Sequence, residues 1–367
     1  MLNDWREDKM LHTVASLLKV KYPIIQAPMA GGVTTTHLIT EVSNAGGLGM
    51  IGAGYLSPDQ LRQQVNDVQE VTSSPFGVNL FVPNEFHVTE DEIMLANDQL
   101  APLRNQLQLS QKPSNKNPEF NVLHNTFLEQ IDVVIEDQVP ICSFTFGIPS
   151  EQVINRLKQH GILLIGTATT VKEAIAIEKA GMDIIVVQGS EAGGHRGNFL
   201  DSYDNSMIGL MALIPQVVDM VNVPVIAAGG IMDGRGLVAS LSLGAQGVQM
   251  GTAFLTCEES GANELHKAAI LHAEEDRTVV TRAFSGKWAR GIQNEFISTM
   301  QEKEHLLPDF PVQNSLTKEI RKAAASQGKP EFMSLWAGQN ASMAKKQTIQ
   351  TLMQSIVEEV KRLGYSI

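Results

Sequence analysis

The stretch 183–197, DIIVVQGSEAGGHRG, decides how the rest of the chain is interpreted. Its first five residues are mostly β-branched and apolar, which is typical of a strand buried on both faces of a parallel sheet. The strand stops at a loop whose paired glycines, Gly193 and Gly194, let the backbone approach a ligand without an intervening Cβ. This loop presents one imidazole, that of His195. We therefore expect the loop to meet a phosphorylated cofactor and His195 to carry out the chemistry.

Seven further apolar runs share this pattern, and helical patterns separate most of them. The predicted strands cover residues 24–29, 48–53, 76–82, 141–147, 162–167, 183–188, 224–230 and 247–255. Strands that alternate with helices indicate a parallel sheet with right-handed crossovers, and eight such units close a barrel. We predict an α/β fold of the TIM (β/α)8 barrel type. A doubly wound open sheet is the alternative, but no GxGxxG follows the first strand.

Two segments do not fit this repeat. Residues 83–120 end in the polar sequence SQKPSNKNPEF, which predicts an exposed insertion, and residues 257–367 are helical in pattern and mixed in charge. We expect both to pack together as a smaller helical cap over one end of the barrel. The predicted division places strands 1–3 in residues 1–82, the insertion in 83–120, strands 4–8 in 121–256, and the cap and barrel closure in 257–367.

The composition narrows the class of protein. Of 367 residues, 43% are apolar and 19% are charged, which is ordinary for a globular enzyme, and the net charge of −12 argues against a nucleic acid or an anionic membrane as the partner. Residues 1–9 lack the apolar core of a secretory signal, and no apolar run approaches the ~20 residues of a membrane span. Cys142 and Cys257 show no metal spacing. We expect free thiols, no metal and a cytoplasmic protein; no pattern predicts the oligomeric state.

The loops after the seventh and eighth strands predict a phosphate site. Barrel enzymes commonly bind phosphate there, and both loops offer unhindered backbone N–H groups. The predicted contacts are Gly229, Gly230, Gln249, Met250, Gly251 and Thr252.

Amide side chains near the ends of three other strands predict contacts to a planar heteroaromatic ring. These are Gln26, Asn79 and Gln188, and such amides both donate and accept hydrogen bonds. The alternative is that each amide satisfies nearby backbone. After the first strand, Ala27, Pro28 and Met29 are candidate contacts to the ring, although a methionine is more often plain core filling.

Of nine histidines, only His195 lies in a glycine-flanked loop after a strand. Near neutral pH an imidazole can take a proton from carbon or hydrogen-bond an oxyanion. The neighbouring Arg196 is either part of the site or a surface charge. In residues 284–294, FSGKWARGIQN, Lys287 and Arg290 flank a tryptophan and are candidates to return to the pocket. No HExxH or CxxC pattern and no serine–histidine–acid arrangement occurs.

At these residues the sequence resembles the nitronate monooxygenases. The resemblance rests on PIIQAPMAGG, NAGGLGMIGAG, PFGVN, QGSEAGGHRG, PVIAAGGIMDGRG, GAQGVQMGTAF, FSGKWARG and LWAGQ. It implies a TIM-like barrel, tightly bound FMN, and oxidation of alkyl nitronates by O2 to a carbonyl compound and nitrite. It also implies that His195 is the catalytic histidine and that FMN is held by Asn79, Gln188, Gly193, Gly230 and residues 249–252.

Two roles for His195 follow from this resemblance. With a neutral nitroalkane it would remove the proton next to the nitro group, and with a preformed nitronate, such as propionate 3-nitronate, it would steady the anion. The rival family is the flavin-dependent enoyl-acyl-carrier-protein reductases, which share EAGGH and AAGGI and use NAD(P)H. QAPM, Arg196 and FSGKWARG favour the monooxygenases. A third reading, a flavin-binding protein without turnover, requires His195 to be idle.

Overall fold

A ring of eight parallel strands forms the centre of the computed structural model, which describes residues 14–110 and 117–367. In chain order the strands are β1 (Ile24–Gln26), β2 (Gly49–Gly52), β3 (Phe76–Phe81), β4 (Ile141–Thr145), β5 (Leu163–Ala168), β6 (Ile184–Gln188), β7 (Gly194–His195), β8 (Val225–Ala228), β9 (Gly247–Met250), β10 (Thr278–Thr281) and β11 (Ala289–Ile292). Strands β1–β6, β8 and β9 make the ring, and β7, β10 and β11 form a separate small sheet.

The ring closes at β1. On one side β1 pairs with β9, with Ile24 opposite Val248, and on the other a parallel bridge joins Ile25 to Leu48 just before β2. The backbone N–H of Gln26 donates to the Leu48 carbonyl at 2.9 Å, which completes the closure. The predicted TIM barrel is confirmed, and the open sheet is wrong.

Several strands end earlier than their apolar runs predicted. The run 24–29 ends at Gln26, ahead of Pro28, which has no N–H to donate to a ladder. The run 141–147 ends at Thr145 because Phe146 adopts a positive φ of 74°. The run 247–255 ends at Met250, and residues 252–255 form a short helix instead. In each case the last residues form the loops that surround the site.

The helices cover the outside of the ring and build the cap. They are α1 (Thr36–Asn44), α2 (Pro58–Val71), α3 (Glu90–Gln106), α4 (Phe120–Glu136), α5 (Glu151–Gln159), α6 (Val171–Lys179), α7 (Tyr203–Ser206), α8 (Leu210–Val218), α9 (Gly234–Ser242), α10 (Thr252–Leu255), α11 (Glu264–Leu271), α12 (Glu295–Met300), α13 (Val312–Ser326) and α14 (Ile349–Arg362). At the start of α2, Ser57 and Gln60 form a capping box, in which each side chain accepts from the other residue's backbone N–H.

Two apolar layers stabilise the barrel. The outer layer lies between the ring and its helices, and the inner layer fills the ring with side chains such as Ile165, Ile184 and Ile226. Val14 and Leu18, from the segment before β1, pack against this inner layer. Each such fully buried side chain contributes about 1.5–3 kcal/mol relative to exposure, so these layers stabilise the ring that carries the loops at its ends.

The cap is a second apolar cluster, built from the insertion and the C-terminal segment as predicted. Leu100 and Leu103 of α3 share it with Leu316 and Ile320 of α13. Arg104 is fully buried and joins the two segments through Glu319, at 3.0 Å. Residues 111–116 of the predicted exposed insertion lie outside the described residues. Residues 1–13 do too, so the prediction that residues 1–9 are not a secretory signal concerns a segment that the structure does not describe. Within the described ranges, no helix is long and apolar enough to cross a membrane.

Candidate active site

A cavity of about 600 Å³ lies between the carboxyl ends of the barrel strands and the cap. The predicted site residues that line it are Ala27, Pro28, Met29, Asn79, Gln188, Gly193, Gly194, His195, Gly229, Gly230, Gln249, Gly251 and Thr252. They come together because all parallel strands end at the same rim. Met250 is the exception. Neighbouring residues of a strand point to opposite faces, so Gln249 faces the cavity while Met250 packs into the outer core.

The glycine-rich rim of the cavity lies after β8 and β9. Gly229 and Gly230 have φ values of 138° and 64°, a conformation that side-chain-bearing residues rarely adopt. Gly251 has an ordinary φ, and the nearest atom to a Cβ added there is the Cβ of Ala27 at 3.6 Å. Its missing side chain therefore leaves open space in the cavity wall. The Thr252 hydroxyl accepts from the Gly338 amide at 2.9 Å, which brings the cap onto this rim.

The three amide side chains differ in what they do. The Gln26 side chain is fully buried, accepts from the Met50 amide at 3.0 Å and donates to the Ala27 carbonyl, so it serves backbone and does not line the cavity. Asn79 lines the cavity and donates to the hydroxyls of Ser143 and Thr145, at 2.8 and 3.1 Å. Among the described residues its side-chain oxygen has no hydrogen-bond donor, so it can accept from a ligand.

Gln188 lines the cavity and also holds the loop that carries His195. Its amide nitrogen donates to the His195 carbonyl at 3.0 Å, and its oxygen accepts from the Gly197 amide at 2.8 Å. Arg196 is buried beneath the same loop and donates to the carbonyls of Gln188 and Gly189 at 2.6 and 2.7 Å. Arg196 is therefore neither a surface charge nor a residue of the cavity wall; it fixes the loop from behind.

His195 is half-buried in the cavity wall and bonded at one nitrogen. Its Nε2 lies 2.9 Å from the Oγ of Ser285, a residue with only 1% of its surface exposed. Burial lowers the pKa of His195 to about 3, and the positive charges of Lys287 and Arg321 lower it further. The imidazole is therefore neutral at physiological pH. Rings of Phe146, Phe310 and Trp336 surround it, with centroids 5.5 to 6.1 Å away.

The small second sheet fixes the position of this histidine. Strand β7 pairs antiparallel with β11, with His195 opposite Ala289 and Gly194 opposite Arg290, and β11 pairs with β10. The Arg196 amide extends the pairing by donating to the Trp288 carbonyl at 2.8 Å. The FSGKWARG stretch thus returns to the site through the backbone of β11 and through the Ser285 hydroxyl.

Two cationic side chains of α13 also line the cavity. Lys318 and Arg321 are one helical turn apart, so they project from the same face. Arg321 donates to the carbonyl and side-chain oxygens of Asn314, both at 2.8 Å, while its Nε is buried with no partner in the described structure. No carboxylate forms an ion pair with either side chain among the described residues. The cavity therefore offers positive charge to an anion.

A second cavity, of about 690 Å³, lies beside the first and shares with it Tyr55, Phe81, Phe146, Asn314 and Lys318. Lys287 lines this outer cavity, where its Nζ donates to the Asn198 carbonyl at 3.1 Å and lies 4.9 Å from the centre of the Phe146 ring. Burial lowers the pKa of Lys287 to about 8. Arg290 lines neither cavity, and its Nε donates to the Ser190 carbonyl at 3.1 Å.

Sequence reasoning missed most of the groups that the cap brings to the site. Ser285, Phe310, Trp336 and the α13 pair come from the last hundred residues, and no local pattern links them to a barrel loop. The spacing of Lys318 and Arg321 was an available signal, because it places two cations on one face of a predicted helix.

The residues that line the cavity fit an FMN. Open glycine loops at one rim suit a phosphate, the amides of Asn79 and Gln249 suit the edges of a heteroaromatic ring, and the volume falls within the range of about 300–1,000 Å³ for cofactor sites. The missing Cβ at Gly251 leaves room where a phosphate would approach.

Fold and site together define a TIM-barrel enzyme whose chemical groups lie at the carboxyl end of the strands. Residues 12–359 match the family model described as nitronate monooxygenase. A probable nitronate monooxygenase of Staphylococcus haemolyticus is 55% identical over 94% of this chain and 96% of its own length. The chain belongs to the nitronate monooxygenase family, a family of flavin-dependent oxidoreductases.

Solved structures agree with this assignment. A nitroalkane oxidase from Streptomyces ansochromogenes superposes with a TM-score of 0.88 at 38% identity, covering 95% of this chain and 98% of that one. FabK from Thermotoga maritima superposes with a TM-score of 0.75 at 31% identity, covering 96% of each chain. The nitroalkane oxidase is thus the more similar of the two in both fold and sequence.

Proposed function

We propose that this chain is an FMN-dependent nitronate monooxygenase that oxidises alkyl nitronates with O2 to a carbonyl compound and nitrite. The observation that carries the proposal is the pairing, in one cavity, of a neutral imidazole with two cations that no carboxylate neutralises in the described structure. A nitronate is an anion whose charge lies on the nitro oxygens. Such a cavity attracts this anion and leaves the imidazole free to act on it.

The glycine rim and the strand-end amides would hold FMN. Gly229, Gly230, Gly251 and Thr252 would receive the phosphate, while Asn79 and Gln249 would meet the ring edges. When bound, FMN supplies the redox chemistry that links the organic substrate to O2. The protein's own part is to orient the substrate beside His195, to exclude water with the aromatic wall, and to hold the anion.

The site suits both neutral nitroalkanes and preformed nitronates. A neutral nitroalkane must first lose a proton to the neutral imidazole of His195. A nitronate needs no such step, and Lys318 and Arg321 would stabilise the charge of the anion in either case. Propionate 3-nitronate fits this chemistry well because it carries a second negative group, and its oxidation would remove a reactive compound from the cell.

The alternative function, reduction of an enoyl-acyl-carrier-protein by NAD(P)H, is tested by the same preparation. Purified FMN-loaded protein is mixed anaerobically with propionate 3-nitronate in one sample and with NADPH in another. We expect flavin bleaching in the first sample, followed by nitrite when air is admitted. Fast bleaching by NADPH, together with no response to the nitronate, would instead assign the protein to the reductases.

A pair of histidine variants shows whether turnover depends on the site. His195→Gln removes the imidazole from the cavity, whereas His272→Gln changes an exposed histidine at the end of α11. We expect the first variant to retain FMN and to lose most nitroalkane oxidation, and the second to match the parent enzyme. Equal activity of all three proteins with nitroalkanes and nitronates would leave His195 idle and contradict the assigned role.

A further inference from the structure

The contacts of Ser285 restrict where the proton of His195 can lie. The Ser285 hydroxyl donates to the Lys287 carbonyl at 2.9 Å and accepts from the Lys287 amide at 3.3 Å. It also lies 2.9 Å from the His195 Nε2. A serine hydroxyl has one hydrogen and two lone pairs. With its hydrogen on the Lys287 carbonyl and one lone pair on the amide, the hydroxyl has only a lone pair left for Nε2.

We infer that Ser285 is a positioning residue that places the proton of neutral His195 on Nε2 and leaves the Nδ1 lone pair facing the cavity. Ser285 is almost fully buried, so its hydroxyl cannot exchange these partners for water. No hydrogen bond engages Nδ1 in the described structure, and Nδ1 is not among the buried polar atoms without a partner. The open side of the ring is therefore Nδ1.

This inference rests on the proposed function and distinguishes the two roles available to His195. A nitrogen with a lone pair accepts a proton but cannot donate to an oxyanion. In the resting enzyme, His195 is thus arranged as a base. With a neutral nitroalkane, Nδ1 would take the proton from the carbon next to the nitro group. The C–H electron pair would form the C=N bond of the nitronate, the N=O π pair would move onto a nitro oxygen, and the Nε2 proton would stay hydrogen-bonded to Ser285. The anion formed would then depend on Lys318 and Arg321.

The position of the proton is measured directly on the FMN-loaded protein. Two-dimensional proton–nitrogen spectra of protein labelled with 15N-histidine distinguish a protonated ring nitrogen from one with a lone pair. The His195 signals are identified by their loss in His195→Gln. We expect a protonated Nε2 and an unprotonated Nδ1 in the unsubstituted enzyme. A proton on Nδ1 would overturn the inference, and this measurement requires no turnover.

Kinetics test the consequence with a matched substrate pair, nitroethane and preformed ethyl nitronate. Ser285→Ala should lower kcat/KM for nitroethane about tenfold, the typical effect of one buried hydrogen bond, and change kcat/KM for the nitronate less than twofold. Its spectrum should show both tautomers, and Ser285→Thr, which keeps the oxygen, should restore the parent values. Equal losses of kcat/KM with both substrates would show that Ser285 only stabilises the fold and does not position the proton. If the parent enzyme oxidised no nitronate, the proposed function would fail while the nitrogen spectra still decided the tautomer.

Discussion

His195 lies opposite Ala289 in an antiparallel ladder, so a strand of the C-terminal segment holds the histidine that the barrel presents. The neighbouring Arg196 amide continues this ladder to Trp288, and Ser285 in the same segment meets the imidazole itself. The position of this imidazole therefore depends on two distant parts of the sequence. The consequences can be measured.

The rate with a neutral nitroalkane should not fall between pH 8 and pH 5, as it would if His195 had the ordinary pKa of a histidine. Because the pKa of His195 is lowered to about 3, the imidazole stays neutral from pH 8 down to pH 5, and kcat/KM for nitroethane should show no loss centred near pH 6.5. Lys287→Met removes a nearby positive charge and should raise the pKa of His195. A loss near pH 6.5 in the parent enzyme would show that the imidazole is not desolvated.

Arg321→Met should weaken the binding of anionic substrates. Arg321 lines the cavity with no carboxylate paired to it in the described structure, and hydrogen bonds to charged groups contribute about 1.5–3 kcal/mol, so kcat/KM for a nitronate should fall about ten- to a hundredfold. The matched control is Lys322→Met, which removes an exposed charge from the next position of the same helix. Similar losses in the two variants would mean that overall charge matters and that the position of Arg321 does not.

Two glycine substitutions should separate the stability of the fold from binding of the cofactor. A Cβ at Gly193 would lie 2.5 Å from backbone atoms of Ala337 and Gly338, so Gly193→Ala should lower the free energy of unfolding by about 1–3 kcal/mol. A Cβ at Gly251 meets only ordinary contacts but enters the cavity wall. Gly251→Ala should leave the apoprotein's stability unchanged and raise the Kd for FMN. Thermal unfolding and FMN titration measure these effects, and unaltered FMN affinity in Gly251→Ala would count against the phosphate site.

His266 should make the fold sensitive to acid. Only 7% of its surface is exposed, its Nε2 lies 2.9 Å from the Trp336 carbonyl, and burial lowers its pKa to about 4. Between pH 4 and 6.5 the unfolded chain binds more protons at this position, so the free energy of unfolding should rise with pH in that window, by roughly 3 kcal/mol in all. His195 contributes with the same sign.

Denaturant unfolding at several pH values measures this slope. His266→Gln keeps a donor for the Trp336 carbonyl and removes the titration, so the slope should become shallower than in the parent protein. An unchanged slope would assign the acid sensitivity to other groups.

The barrel could be predicted from sequence because each strand and helix carries its own local signal, as in the Ser57 capping box and the apolar run before His195. Most of the predicted site residues do line the cavity. They could be predicted because they follow parallel strands, whose carboxyl ends meet at one rim of the closed ring. The Met250 side chain does not line the cavity, because successive strand residues face opposite ways and the prediction treated the motif around it as a unit.

The cap's contribution could not be predicted in the same way. Ser285 sits within a stretch singled out for Lys287 and Arg290, yet its hydroxyl matters only because β7 and β11 pair. Arg321 reaches the cavity because α13 docks on α3, with Arg104 buried between them. Both contacts depend on packing between segments far apart in the chain, and the identities of Ser285 and Arg321 do not reveal that packing.

The ladder between β7 and β11 also sets an order of events during synthesis. The ribosome makes His195 well before Ala289, and at typical rates of about 5–20 residues per second the interval is roughly 5–20 seconds. During that interval the last two barrel strands, β8 and β9, are made, while the imidazole still lacks both its paired strand and its serine. A nascent or truncated chain that ends between β9 and residue 285 therefore carries all eight barrel strands without the contacts that orient His195, and these contacts arrive only with the last quarter of the polypeptide.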